Sequence, residues 1–253
     1  MYPDHATPPS GEFHPRKCDA LVIVARYPEP GAVKTRLGAV IGHQRAAELY
    51  RAFLTDLSAR FSAAARASRY QLCWACTGGQ EAMASVLDPG ASIFPQRGGD
   101  FAERLFFIVE DMRRAGFRRL IISSSDSPQL PATAIQQAFT RLDCHDVVLG
   151  PAEDGGYNFV GLHLDGKPPD LFRGIQMSTP KVLGQTVERA TSLGLTVALL
   201  EPLFDVDEVE NLLRLHEFLR DRDTLLAPHT LAVLRHICAA VTASAPMSDV
   251  ASR

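Results

Sequence analysis

Short apolar runs alternate along this chain with stretches whose apolar residues recur every three to four positions, and these two periods divide it into strands and helices. ALVIVA at 20–25 is continuously apolar, the pattern of a strand covered on both faces. From 44 to 62, Ala46, Leu49, Tyr50, Phe53, Leu57 and Phe61 fall on one helical stripe. The same reading predicts strands over 70–76, 92–95, 119–124, 146–150, 157–162 and 195–200, and helices over 101–115, 131–142, 180–193, 208–221 and 229–241. Strands separated by helix-length segments pair in parallel through right-handed crossovers. The expected fold is therefore α/β: an open, mostly parallel twisted sheet with helices on both faces. Only a short turn precedes 157–162, which suits an antiparallel insertion there.

The chain has 253 residues, 46% of them hydrophobic, enough for one full core, and nothing in it reads as an interdomain linker or internal repeat. A single domain over 18–241 is expected, with a loose Pro- and His-containing extension at 1–17 and a frayed tail at 242–253. The net charge of −3, without a dense basic block, argues against nucleic acid as a partner. It leaves room for a small acidic one. No apolar stretch has the length of a membrane span and none at the start resembles a secretory signal, so the expected setting is cytoplasmic, with no membrane partner; oligomeric state is not legible. The five cysteines are scattered. Cys73 and Cys76 have CxxC spacing within a strand, where side chains three apart face opposite sides, which disfavours a shared metal or redox role.

In sheets of this kind ligands bind beyond the carboxyl ends of the strands, so the polar residues that follow strands carry the chemistry. After the first strand, ARYPEPGAVKTRL supplies Arg26, Gly31, Lys34 and Arg36; Lys34 is one of only four lysines. Pro28 and Pro30 stiffen the turn, Gly31 permits a close backbone approach, and the cations suit a diphosphate; the competing reading is a solvated basic turn. After the strand at 119–124 come Ser125 and Asp126, where one carboxylate, waters and substrate phosphates can hold Mg²⁺ or Mn²⁺, or Asp126 simply caps the next helix. Glu153 and Asp154 precede paired glycines, which suits either a tight turn or an acceptor-orienting base. Asp205 and Asp207 share one side of an extended segment and fit a second carboxylate for the same cation, while Asp207 taken locally fits better as the N-cap of a helix starting near 208. Gln96, Arg97 and Asp100 precede a helix and either hold a nucleotide base or turn the chain; Thr179 with Pro180 reads as a helix start, or as a segment placed to help bind an acceptor.

In order, ARYPEPGAVKTRL, QRGGDFAERL, SSSDSPQLP, GPAEDGGYNFVGL and FDVDEVENL resemble the DUF2064 family, whose members are labelled rSAM/selenodomain-associated transferase 1, within the GT-A, nucleotide-diphospho-sugar transferase superfamily. The resemblance spans residues 20 to about 220 and implies the GT-A-like form of the sheet. It also implies that Lys34 and Arg36 contact donor phosphates and that Asp126 and Asp207 hold the divalent ion. After Asp207 the chain departs from the related Asp-Thr-Pro-Glu-Asp-Leu motif, with Glu208, Val209 and Asn211 in place of Thr, Pro and the second Asp. The implied partners are a nucleotide or nucleotide-sugar donor and a small-molecule acceptor. Glycosyl transfer is the favoured reaction because the first loop has a single glycine where triphosphate-binding loops offer a run of free amides. The alternatives are nucleotidyl transfer to a phosphorylated or phosphonate acceptor with release of pyrophosphate, and a non-catalytic nucleotide-binding module.

Overall fold

Alternate side chains of the first strand enter two different cores. Leu21, Ile23 and Ala25 pack with one set of helices and Ala20 and Val22 with another, so this strand is covered on both faces. In the computed structural model, which describes residues 18–220 and 226–244, the strands are β1 (Asp19–Arg26), β2 (Tyr70–Thr77), β3 (Ser92–Pro95), β4 (Arg119–Ser123), β5 (Val147–Pro151), β6 (Tyr157–His163) and β7 (Val197–Leu199). They form one sheet in the order β3-β2-β1-β4-β6-β5-β7. β6 lies between β4 and β5 and runs antiparallel to both; the remaining pairings are parallel. The fold is thus the expected open α/β sheet, and the short turn after β5 delivers the antiparallel strand.

Helices α1 (Thr35–Ile41), α2 (His43–Ala67), α3 (Gln80–Ala84), α4 (Phe101–Arg114), α5 (Ala132–Arg141), α6 (Val182–Ser192), α7 (Val209–Arg220) and α8 (Pro228–Ser244) complete the described chain. α1, α2, α5, α7 and α8 feed one core, around Trp74, Phe53 and Phe61, and α4 and α6 feed the other, around Phe94, Met112 and Phe172. Each fully buried Leu or Phe contributes ~1.5–3 kcal/mol. Cys73 and Cys76 fall in opposite cores, and burial pushes both thiols up to about 12, so neither is a redox or metal pair with the other.

α1 and α3 are additions to the sequence reading. Gly38 hides α1, since glycine weakens a helix, yet a Cβ there would meet the His43 ring at 2.3 Å. The His43 ring is exposed and can turn aside, so the close α1–α2 corner favours glycine there without demanding it.

The C-terminal helix is fastened to α2 by a buried acid. Asp56, its side chain 1% exposed, accepts from the backbone N–H groups of His229 (3.1 Å) and Thr230 (2.7 Å), and His229 Nδ1 lies 2.8 Å from it. One turn along α2, Arg60 donates to the carbonyl oxygens of Leu130 (2.7 Å) and Leu226. The Asp56 carboxylate thus satisfies two N–H donors at the start of α8 that a helix leaves open, and Arg60 satisfies carbonyls on either side.

Among the described residues no helix is long and apolar enough to cross a membrane. The extension expected at 1–17, position 221 of the helix expected over 208–221, and 245–253 of the expected tail lie outside the described residues.

Candidate functional site

The carboxyl ends of β1, β4 and β5 and the segment after β7 converge on a cleft of about 680 Å³, joined by a recess of about 320 Å³ beneath the β1–α1 loop. Buried polar side chains hold these segments together. Ser127 and Gln129 donate to the Phe204 carbonyl, and Asn158 Nδ2 donates to the carbonyls of Pro151 (3.2 Å) and Leu203 (3.1 Å). The Val206 N–H donates to the Asp126 carbonyl at 3.1 Å, which sets the turn after β4 directly against the segment carrying Asp205 and Asp207. Acids remote in sequence meet because backbone and buried amides, rather than their own charges, hold them there.

Lys34, Arg36, Asp126 and Asp207 all line the recess. Lys34 itself is enclosed: its side chain is 3% exposed, with Nζ 2.5 Å from Asp126 Oδ1 and 2.8 Å from Asp207 Oδ1. The ammonium also lies 5.9 Å from the centre of the Tyr50 ring and 5.8 Å from that of Phe53. Burial alone would lower its pKa, but the charges of Asp126 and Asp207 outweigh that and raise it above the ordinary lysine value. Its backbone is left-handed, φ 45° and ψ 46°, a conformation uncommon for lysine, imposed where the loop turns into α1. Asp126 and Asp207 keep 40% and 45% of their side-chain surface open.

Asp207 does not cap α7. The helix starts at Val209, two residues on, and the Asp207 carboxylate is engaged by Lys34; the Glu208 N–H donates to Asn211 Oδ1 instead. Asp205 also lines the cleft, and its pKa is raised to about 6, by burial first and then by the nearby charges of Asp154 and Asp207. Asp154 lines the cleft too, its carboxylate fixed by the Gly156 N–H at 2.8 Å. Gly155 (φ 90°) lets this turn approach the start of α6, since a Cβ would meet the Pro180 carbonyl at 2.3 Å.

Of the other candidate residues, Arg26, Arg36 and Ser125 also line the cleft, and Glu153, Arg97, Asp100 and Gly31 do not. Glu153 faces away from Asp154 in a two-pronged pair with Arg214, at 2.5 and 2.8 Å. Arg97 pairs with Asp111 and lies 4.6 Å from the centre of the Phe107 ring. Asp100 caps α4, accepting from the Glu103 N–H at 2.8 Å while Glu103 accepts from the Gly99 N–H. Neither Arg97 nor Asp100 lines the cleft, nor does Gly31. Ser125 is buried; Tyr50 donates to its Oγ (2.7 Å), which in turn donates to the Val24 carbonyl (2.9 Å), so it positions the turn. Arg26 is exposed, lines the cleft and donates to the Ala32 carbonyl at 3.1 Å. Arg36, its side chain 76% exposed, is held among the described residues by Glu208 at 3.5 Å.

At the β2–β3 end the cleft is lined by Gln96, the first residue of the stretch read as a base site or a turn, and by residues that the sequence reading missed: Thr77, Phe101 and Arg104. Gln96 Nε2 donates to the carbonyls of Ala25 (3.1 Å) and Ala75 (2.8 Å), which fixes the carboxamide. Arg104 has its guanidinium 5.7 Å from the centre of the Phe101 ring and a buried Nε without a hydrogen-bond partner among the described residues. Their signal was helical spacing: Phe101, Arg104 and Leu105 stand at i, i+3 and i+4, and all three line the cleft.

Asp126 and Asp207 fit an Mg²⁺- or Mn²⁺-type ion, which takes one or two carboxylates and completes its shell with water and phosphate oxygens. Among the described residues no group of three or more His, Cys, Asp or Glu forms a protein-only cage.

Comparison with known proteins bears on the family and the fold. A protein from Desulfovibrio desulfuricans G20, provisionally named a nucleotide-diphospho-sugar transferase, is 31% identical, covers 90% of this chain and 98% of its own, and superposes with a TM-score of 0.82. CMP:2-keto-3-deoxy-manno-octonic acid synthetase complexed with CTP (13% identity, 80% and 98% covered, TM-score 0.51) shares the fold. So does a cytidylyltransferase from Leptospira borgpetersenii serovar Hardjo-bovis (9% identity, 93% and 100% covered, TM-score 0.52). No curated protein matches the chain. Residues 58–179 match the family described as "Uncharacterized protein conserved in bacteria (DUF2064)". With that match joined to the near end-to-end likeness of the Desulfovibrio structure, the chain belongs to the DUF2064 family and has the GT-A-like fold of the nucleotide-diphospho-sugar transferases.

Proposed function

We propose that this protein is a divalent-cation-dependent transferase that moves the sugar of a nucleotide-diphospho-sugar to a small acceptor hydroxyl. The observation that carries this reading is the division of charge along the cleft. Its lining cations, Arg26, Arg36 and Arg104, come from β1, α1 and α4. The side built from the β5–β6 turn, the loop before α6 and the segment after β7 contributes Asp154, Tyr157, Ser178, Thr179 and Asp205 to the lining, and no lysine or arginine. A phosphorylated acceptor placed there would face carboxylates without a counterion, whereas a sugar or alcohol hydroxyl finds acceptors suited to it.

In the first loop the N–H groups of Tyr27, Glu29 and Ala32 are bonded to carbonyls and Pro28 and Pro30 have none, so backbone contact with the donor's phosphates falls to the amides around the start of α1. In this reading the nucleoside occupies the arm of Gln96, Phe101 and Arg104, and Arg26 and Arg36 face the phosphates. Asp126 and Asp207 would hold the Mg²⁺ or Mn²⁺, whose charge neutralises the departing nucleoside diphosphate. Asp154, rather than the paired Glu153, orients the acceptor hydroxyl and takes its proton.

The test is a donor and acceptor screen with Mn²⁺ or Mg²⁺, scored for free nucleoside diphosphate. Release that depends on the cation and rises with uncharged acceptors agrees with the proposal. Pyrophosphate release from nucleoside triphosphates with phosphorylated acceptors would replace glycosyl by nucleotidyl transfer.

A further inference from the structure

We propose that Lys34 is a resident cation that keeps the Asp126–Asp207 pair from taking up a divalent ion alone, so that the ion enters together with the donor's diphosphate. The inference rests on the transferase reading of this site. The ammonium bridges Oδ1 of both acids, and its side chain is 3% exposed. Tyr50 and Phe53 flank it, with ring centres 5.9 and 5.8 Å away. Lys34 is therefore built into the wall.

Two carboxylates and one ammonium leave this triad a net charge of minus one, so a bare divalent ion meets one of its two negative charges already answered. A diphosphate brings the missing negative charge on the open side, where Asp126 and Asp207 keep 40% and 45% of their side-chain surface. Lys34 thus acts through the two acids. It is a positioning residue, which holds their spacing and couples entry of the ion to entry of the donor.

The experiment measures Mn²⁺ binding to the full chain by the paramagnetic signal of free Mn²⁺, with and without whichever of UDP, GDP, CDP and ADP binds. Wild type should bind Mn²⁺ alone weakly and much more tightly with the nucleotide. Lys34→Met and Lys34→Gln should bind Mn²⁺ alone at least about tenfold tighter than wild type and gain less from the nucleotide, because the opposing charge is gone. A lysine that only supported the fold would give the reverse, with Mn²⁺ binding weakened in both conditions. The proposal is overturned if a folded neutral variant binds Mn²⁺ alone no tighter than wild type. It is overturned equally, with no variant needed, if wild type binds Mn²⁺ as tightly without nucleotide as with it. Failure of every nucleoside diphosphate to bind defeats the transferase reading itself and this inference with it, a result distinct from the other two.

Discussion

Lys34 Nζ lies 2.5 Å from Oδ1 of Asp126, although 92 positions separate them, and Asp207 closes the same triad at 2.8 Å. The lysine is buried and the acids are half open, so its loss leaves two like charges facing each other. Lys34→Met should cost about 2 kcal/mol, less than a fully buried pair because water screens the acids. Urea unfolding measures this. Adding Asp207→Asn to Lys34→Met should recover part of the loss, and a further loss would show that repulsion is not its source.

Asp126→Asn and Asp207→Asn should each weaken nucleoside diphosphate binding in Mn²⁺ by roughly tenfold or more, with little change when the metal is chelated. Calorimetry in the two conditions separates the effects. Because α7 starts beyond Asp207, the second substitution should destabilise the protein no more than the first.

Asp154 and Glu153 are neighbours with opposite placements, one in the cleft and one on Arg214. Asp154→Asn should lower turnover by about 10²-fold or more while leaving donor affinity unchanged. Glu153→Gln removes an exposed pair and should change stability by no more than ~0.5 kcal/mol, with turnover intact. Equal losses of turnover in the two variants would contradict the assignment.

Asp56 lines neither the cleft nor the recess and holds the start of α8. Asp56→Ala should cost about 3 kcal/mol, because it leaves buried N–H groups without acceptors. Thermal unfolding should register this, and nucleotide affinity at a temperature well below the transition should not change.

The sheet was legible because each strand is a short apolar run bounded by turn residues, and β6 follows β5 too closely for a crossover. α1 escaped because Gly38, placed for its packing on His43, disguises a helix, and the left-handed Lys34 disguises its start. The acids were legible as residues following strands. That Lys34 lies buried between two of them was not, since it depends on Ser127, Gln129 and Asn158 bringing separate loops together. Arg97 and Asp100 stood out in sequence as a charged turn, yet Asp111 and the α4 cap claim them, and Arg104 one turn into α4 reaches the cleft instead.

The most direct measurement follows two labels through one reaction: a nucleotide-diphospho-sugar labelled in its sugar carbon and, separately, in its α-phosphorus, incubated with the protein, Mn²⁺ and a mixture of uncharged acceptors. Glycosyl transfer moves the carbon label into an uncharged product while the phosphorus label stays in nucleoside diphosphate. Phosphorus label in the acceptor product would contradict it.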